Sequence, residues 1–424
     1  MVEFPASRGQ VRVAEAGHDP ARHGVRVTVD VRGPVDRTRL EEALSRVVAG
    51  HEILRTELRA DAAPGRWKQV VHPEGHILVE EGVPAAPSTP DRSVPLRVGI
   101  TSDGDVSRLH FEGSGLHLDA IALHHLVEEL AAAYQTGIGP SEDSVLQYGD
   151  FAEWQAELSE SEEGEPGRAF WRTVSLPDSP ADRLPFERKG DSDGSGASQE
   201  RVRRKVDAHT AASASELAAA SAISEEVVLL TALYVVLWRY TGRMPVVVDV
   251  RSDGRGLDDL SGAIGPHSLD LPVHGVLDPS SSFEALAGRV AEAVAAGREW
   301  EHVFNPGLLS GRPAGSALAE SRFGFEYGVA PEVVGSDGVT FRVSGQQVGR
   351  GDHRLRLACW RSADGLFLDW VFDADRIDDA YVDGMSRAFE AVLAAAVSNP
   401  DAYVSELPLL DEEGRRSLVE DPND

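Results

Sequence analysis

The sequence predicts an α/β protein built in two halves. Segments with the period-two alternation of a half-buried strand are followed by segments with the three-to-four spacing of an amphipathic helix. The same alternation begins again after residue 200, and a stretch rich in Pro, Asp, Ser and Gly separates the two runs. Strands that alternate with helices favour a layered α/β architecture. The chain has 424 residues, enough for about two or three domains and for a sizeable core that needs no disulfide or metal staple. The expected division is a first half at residues 1–175, a linker at 176–200 and a second half at 201–424.

In the first half, Val25, Val27, Val29 and Val31 alternate with Arg26, Thr28 and Asp30, the pattern of a half-buried strand. Asp36 is placed to cap the helix that follows, which carries Leu40, Leu44, Val47 and Val48 on one face. Strands are expected at Leu96–Ile100 and Arg108–Phe111. The next helix aligns Leu123, Leu126, Val127, Leu130 and Tyr134. In the second half, Ser224 caps a largely buried helix running to Tyr240, and Val246–Val250 is a buried strand. Phe283, Leu286, Ala287, Val290 and Val294 form a helical stripe. Leu366, Leu368, Trp370 and Phe372 alternate as a strand, and Tyr381, Met385, Phe389, Val392, Leu393 and Ala396 line one face of the last long helix. Two such halves leave a cleft between them, a favoured place for ligands.

The formal charge of −29 disfavours nucleic acid and anionic membrane surfaces, since a phosphate backbone is repelled overall. The one cysteine, Cys359, allows no internal disulfide and no CxxC metal site, and fits a reducing, cytoplasmic setting. The longest apolar stretch, Val227 to Trp238, is too short to span a bilayer. The opening residues carry no basic and apolar signal-peptide pattern.

Several local patterns have plainer readings than the chemistry they imitate. Gly190–Gly194 is formally G-x-S-x-G, but no strand precedes it and no helix follows, as a hydrolase elbow requires. The same stretch resembles a calcium loop, yet Val202 stands where a bidentate Glu would close it. His124 and His125 are adjacent on a helix and point about 100° apart, so they do not converge on one ion. Cys359, beside Trp360 on an expected strand, reads as a buried thiol, and the acidic run Glu157–Glu165 as a solvated segment. No metal site is expected.

The longer motifs are more specific. Ser7-Arg8-Gly9-Gln10 is similar to an opening Ser-x-x-Gln, and Gly50 to Leu58, reading G-H-E-I-L-R-T-E-L, to R-H-E-x-L-R-T-x-F. Gln147 to Trp154, then Phe170-Trp171, follow Y-x-D-[FY]-A-x-W and a later tryptophan. Ile264 to Pro272 follow I-G-x-F-x-N-x-L-P with departures, and Leu407-Pro408-Leu409-Leu410-Asp411 resembles an exit segment. In this order the motifs resemble the condensation domains of nonribosomal peptide synthetases, over essentially the whole chain. The resemblance implies two chloramphenicol-acetyltransferase-like halves in a V-shaped pseudo-dimer with a central tunnel. Peptidyl or acyl carrier proteins dock at its two ends, and their phosphopantetheine arms bring a thioester donor and an amine acceptor together. No cofactor bound by the chain itself is expected.

The family's central motif is H-H-x-x-x-D-G, whose second histidine is usually assigned to catalysis. The matching stretch here is Ser114-Gly115-Leu116-His117-Leu118-Asp119-Ala120, so both histidines are absent and the aspartate remains. The alternative register through His124-His125 is disfavoured. In the family a Glu and a Tyr follow the motif aspartate by about ten and fifteen positions, and Glu129 and Tyr134 fit Asp119. The resemblance implies that Asp119 forms a structural ion pair with an arginine, for which Arg255 stands at the matching position. His267 replaces the aromatic of I-G-x-F-x-N and Leu269 its asparagine, so the tunnel wall, with His117, is expected to be remodelled. His267, His110 and His117 are candidate replacement bases, each more simply read as structural or solvated.

Two functional readings follow. In the favoured one the chain binds carrier-tethered peptidyl or acyl thioesters, lacks histidine-based condensation, and presents substrate to, or recruits, another enzyme; some family members with altered motifs recruit tailoring oxidases. In the alternative it is an acyltransferase that forms an amide or ester with unusual or relocated-base chemistry. A third reading is a decayed structural domain excised from a larger synthetase, with Glu412–Asp424 as its exit linker. Arg203-Arg204-Lys205 is a candidate basic patch for an acidic carrier, or a solvated strand edge.

Overall fold

The structure, a computed structural model, describes residues 1–410 apart from 18, 62–64, 76, 78, 85–92, 104–105, 142–144, 176–183, 189–197, 276, 311–322, 332–333 and 337. The first part of the chain contributes β1 (Val2–Pro5), α1 (Arg8–Glu15), α2 (Pro20–His23), β2 (Val25–Arg32), α3 (Arg37–Gly50), β3 (Thr56–Ala60), β4 (Trp67–Val71), β5 (Val79–Glu81), β6 (Leu96–Asp103), β7 (Val106–Gly113), α4 (Ala120–Thr136), α5 (Tyr148–Glu160) and α6 (Glu165–Thr173). The second part contributes β8 (Gln199–Lys205), α7 (Ala208–Ala220), α8 (Glu225–Thr241), β9 (Val246–Ser252), β10 (Leu269–Gly275), α9 (Phe283–Glu299), β11 (Phe323–Val329), β12 (Val334–Ser336), β13 (Val339–Val348), β14 (Leu355–Ser362), β15 (Gly365–Asp373) and α10 (Asp379–Ser398).

The elements form two six-stranded sheets and a small one of order β1-β4-β3. The first large sheet has the order β12-β13-β2-β7-β6-β5 and the second β10-β9-β11-β14-β15-β8. The valines of β2 form one buried face, on which α3 and α4 pack through Leu40, Leu44, Leu123 and Leu126. The Asp36 carboxylate caps α3 by accepting the Arg39 N–H, as a short acceptor at an N-cap does. Against the second sheet, α8 is buried on all sides from Glu226 to Leu237, which is why its sequence is apolar without a stripe.

The chain does not divide as cleanly as its order suggests. Residues 334–348, placed by sequence in the second half, complete the first sheet: β13 pairs antiparallel with β2, Phe341 opposite Val31 and Val343 opposite Val29. Residues 201–424 are therefore not a self-contained half. Much of the expected linker, including Gly190–Gly194, lies outside the described residues, as does the tail from Asp411. Within 176–200, Leu184 is buried in the second core and Phe186 stacks on Tyr381 at 4.7 Å. Residues 199 and 200 already belong to β8.

The two arginines of the basic triplet on β8 pair within their own chain. Arg203 pairs with Asp369 and also donates to the Gln346 carbonyl of β13 at 2.8 Å. Arg204 pairs with Asp383 at 2.8 Å and Glu390 at 2.6 Å. Arg201, also bound to Asp369 at 2.7 Å, donates to the Val348 carbonyl at 2.8 Å. Arg201 and Arg203 tie the edge of the second sheet to the strand that crosses into the first, and Arg204 ties it to α10. Among the described residues no single helix is long and apolar enough to cross a membrane.

Candidate functional site

The motif segments converge on the turn between β7 and α4. Ser7 and Gln10 form a capping box on α1, their side chains each accepting the other's backbone N–H, at 3.2 and 3.0 Å. The Gln10 amide reaches on to the Leu116 carbonyl at 3.0 Å. The Tyr148 hydroxyl lies 2.7 Å from Ser7 Oγ and 3.2 Å from the Pro266 carbonyl. The Gln147 amide joins the Glu52 N–H and the Gly50 carbonyl, and His51 Nε2 lies 2.6 Å from Glu129. These motif residues build the frame that holds residues 114–120.

Asp119 is the N-cap of α4 and accepts the Ala122 N–H at 2.7 Å. Its carboxylate faces the Arg255 guanidinium in a bidentate pair, at 3.0 and 3.1 Å. The Ser268 N–H and hydroxyl both donate to it at 2.9 Å. Five donors thus fill an acceptor with about four lone-pair sites. Burial opposes ionisation of this carboxyl, but the Arg255 charge and its hydrogen bonds outweigh that and hold it at about 2. Arg255 also donates to the carbonyls of Asp253, Ala263 and Gly265. The pair is almost dry, with side chains 3% and 9% exposed. It fastens the β7–α4 turn to the loop that leads into β10. Its geometry is that of a brace, with no lone pair left for a substrate proton.

Ser114 accepts the Leu116 N–H on its Oγ at 3.3 Å, while its carbonyl accepts from His117 and Leu118. Gly115 packs against the main chain of His23: a Cβ at 115 would lie 2.0 Å from the His23 carbonyl oxygen. Side chains there are excluded by backbone, which no rotamer change relieves. Ala120 begins α4 at its first helical position.

A cavity of about 100 Å3 opens beside this turn, and Gly115, Asp119, Ala120, Arg22, His23 and Asp352 are among the residues that line it. Leu269 lines it, whereas His117 and His267, both expected on the tunnel wall, are not among its lining residues. His117 is fully buried. His267 is turned into an aromatic box, edge-on to Phe151 at 4.5 Å and to Tyr148 at 4.9 Å. Burial, reinforced by Arg255, lowers its imidazole to about 3. His110 bonds Thr101 on the neighbouring strand at 2.9 Å. Burial lowers His124 to about 4, and His125 sits 3.4 Å from Glu128. Cys359 is buried and its thiol is pushed well up by burial. Among the described residues no group of three His, Cys, Asp or Glu side chains is placed to hold a metal.

A second set of charges, unforeseen from the sequence, reaches the cavity through Arg251, Asp270 and Glu326. Arg356, fully buried, pairs with Glu326 at 2.8 Å and Asp270 at 3.1 Å. Arg251 pairs with Asp270 at 3.0 Å. Arg251 and Asp270 stand on strands β9 and β10, alternating with buried Val248, Val250 and Leu271. That alternation of charge with valine was the available signal that one sheet face is polar.

The Condensation domain family model matches residues 116–419. Surfactin synthase subunit 1 of Bacillus subtilis (strain 168) is 25% identical over 418 residues, covering 93% of this chain and 11% of that protein. The chain spans about a tenth of the length of the curated relatives it matches. Among solved structures, the condensation domain from Monacolin K polyketide synthase MokA superposes with a TM-score of 0.80 at 18% identity, covering 95% of this chain and 99% of that one. The complex of the X-domain and OxyB from teicoplanin biosynthesis matches with a TM-score of 0.70 at 22% identity, covering 97% of each chain. The two sheets, the crossing strand and the braced turn at Asp119 are thus accompanied by a family match over most of the chain, which belongs to the condensation domain family.

Proposed function

We propose that this chain works in nonribosomal peptide biosynthesis by binding carrier-tethered peptidyl or acyl thioesters without histidine-based condensation, and that it presents them to, or recruits, another enzyme. The observation that carries the reading is the His23 main chain lying where a side chain at residue 115 would have to be. In the proposed register Gly115 stands at the family's second motif histidine. Two features favour that register: residues 114–119 join a strand to a helix, and Asp119 holds Arg255. A general base contributes roughly 10²–10⁴-fold, and neither Asp119 nor His267 offers one. Asp119 is saturated with donors, and His267 is neutral and enclosed by aromatic rings. The cavity, about 100 Å3, is far below the roughly 300–1,000 Å3 usual for small-molecule sites.

The X-domain–OxyB complex is a precedent on this fold for a protein partner other than a carrier. Carriers charged with a peptidyl or aminoacyl thioester are expected to bind with a dissociation constant on the order of tens of micromolar, or roughly 6 kcal/mol. Titration calorimetry with loaded and unloaded carriers, and with the enzymes encoded alongside, checks this. Failure of every loaded carrier and every such enzyme to bind in that range would remove the proposal.

A further inference from the structure

Residues 21–24 run through a channel made by two glycines. On one side a Cβ at Gly115 would meet the His23 carbonyl oxygen at 2.0 Å; on the other, a Cβ at Gly349 would meet the Arg22 carbonyl oxygen at 2.1 Å. The backbone of the 349–354 turn holds the segment, with the Gly349 N–H donating to the Gly24 carbonyl at 3.1 Å and the Gly351 N–H to the Arg22 carbonyl at 2.8 Å. Three cationic or ionisable side chains then meet on one carboxylate. Asp352 takes Arg12 of α1 at 3.1 Å, Arg22 at 3.4 Å and His23 at 3.2 Å. Burial pushes the Asp352 carboxyl up, but His23 and Arg12 outweigh it and keep it well below the ordinary range.

We propose that residues 21–24 are an internal plug, latched by Asp352, and that breaking the latch opens the cavity beside Asp119. The segment and the turn line that cavity together with Gly115 and Ala120. Removing the carboxylate takes away the partner that Arg12, Arg22 and His23 share, leaving Arg12 with Asp270 at 3.8 Å and Arg22 with the Gly351 carbonyl at 3.2 Å, so the latch weakens. The inference deepens the reading of this site given above, because a plug seated on Gly115 makes the missing side chain part of a built closure.

Thiol labelling reads the closure without any condensation assay. The one native thiol, Cys359, is buried, so an Ala120→Cys variant carries a single reporter in the cavity wall. With the latch intact, the introduced thiol is expected to react slowly with N-ethylmaleimide, followed by intact-protein mass. Adding Asp352→Asn should speed that reaction at least about tenfold, which corresponds to about 1.4 kcal/mol, while Cys359 stays protected. If Asp352→Asn also exposes Cys359, the fold has loosened, and Arg22→Gln in the same background decides. The proposal is overturned if the introduced thiol is equally reactive with the latch intact, or if neither latch variant speeds it while Cys359 stays protected. Product formation by the unaltered protein would overturn the non-condensing reading and leave these rates unchanged, so the two failures are distinguishable.

Discussion

Replacing Asp119 with alanine is expected to destabilise the protein by about 3–5 kcal/mol, the usual cost of leaving one member of a buried ion pair uncompensated. Arg255 would keep its carbonyl partners but lose both carboxylate bonds, in a site where its side chain is 3% exposed. The same change removes the N-cap of α4 and two bonds from Ser268. Chemical denaturation measures the loss as a lower midpoint. Asp119 also sets a pH window. Its carboxyl is lowered from 3.8 to about 2 on folding, so its contribution is fully present above about pH 4. It is lost as pH falls towards 2, a loss of about 2–3 kcal/mol at about 1.4 kcal/mol per unit. That part of the acid sensitivity should be missing from Asp119→Ala. An unchanged midpoint in this variant would show that the pair does not brace the turn.

Putting a histidine back at residue 115 is expected to weaken the fold and restore nothing. A Cβ there meets the His23 carbonyl oxygen at 2.0 Å, so Gly115→His must displace residues 21–24 and strain their bonds to the 349–354 turn. Forcing atoms into packed space costs about 1–3 kcal/mol, sometimes more. Since the clash begins at Cβ, Gly115→Ala should lose nearly as much as Gly115→His. A simply decayed catalytic site would behave differently, tolerating alanine and regaining activity with histidine. Denaturation midpoints for the two variants, with condensation assays of both, separate these outcomes.

Much of the fold could be read in the sequence because its signals are local. The Val25–Val31 alternation, the Asp36 and Ser224 caps and the apolar helix after Ser224 each correspond to elements that the structure contains. The entry of β13 into the first sheet was not legible, because strand pairing across some 300 residues leaves no local mark. At the site, the Asp119–Arg255 pair expected from motif order is present in the structure. The plug was not legible in the sequence. Arg22, His23 and Asp352 look like ordinary surface charges in sequence, and only the folded chain brings them together. His267 was misleading for the opposite reason: a histidine suggests titration, but its surroundings are Phe151 and Tyr148.

The most direct test of the central claim is mass spectrometry of a donor-loaded and an acceptor-loaded carrier, incubated together with and without this protein. Positioning alone can accelerate thioester aminolysis, so the rate must be compared with that of the protein-free mixture. No condensed product is expected above that background, with both carriers still bearing their original thioesters. Accumulation of an amide- or ester-linked product on the acceptor carrier, dependent on the protein and abolished by Asp119→Ala or His267→Ala in a folded variant, would contradict that claim.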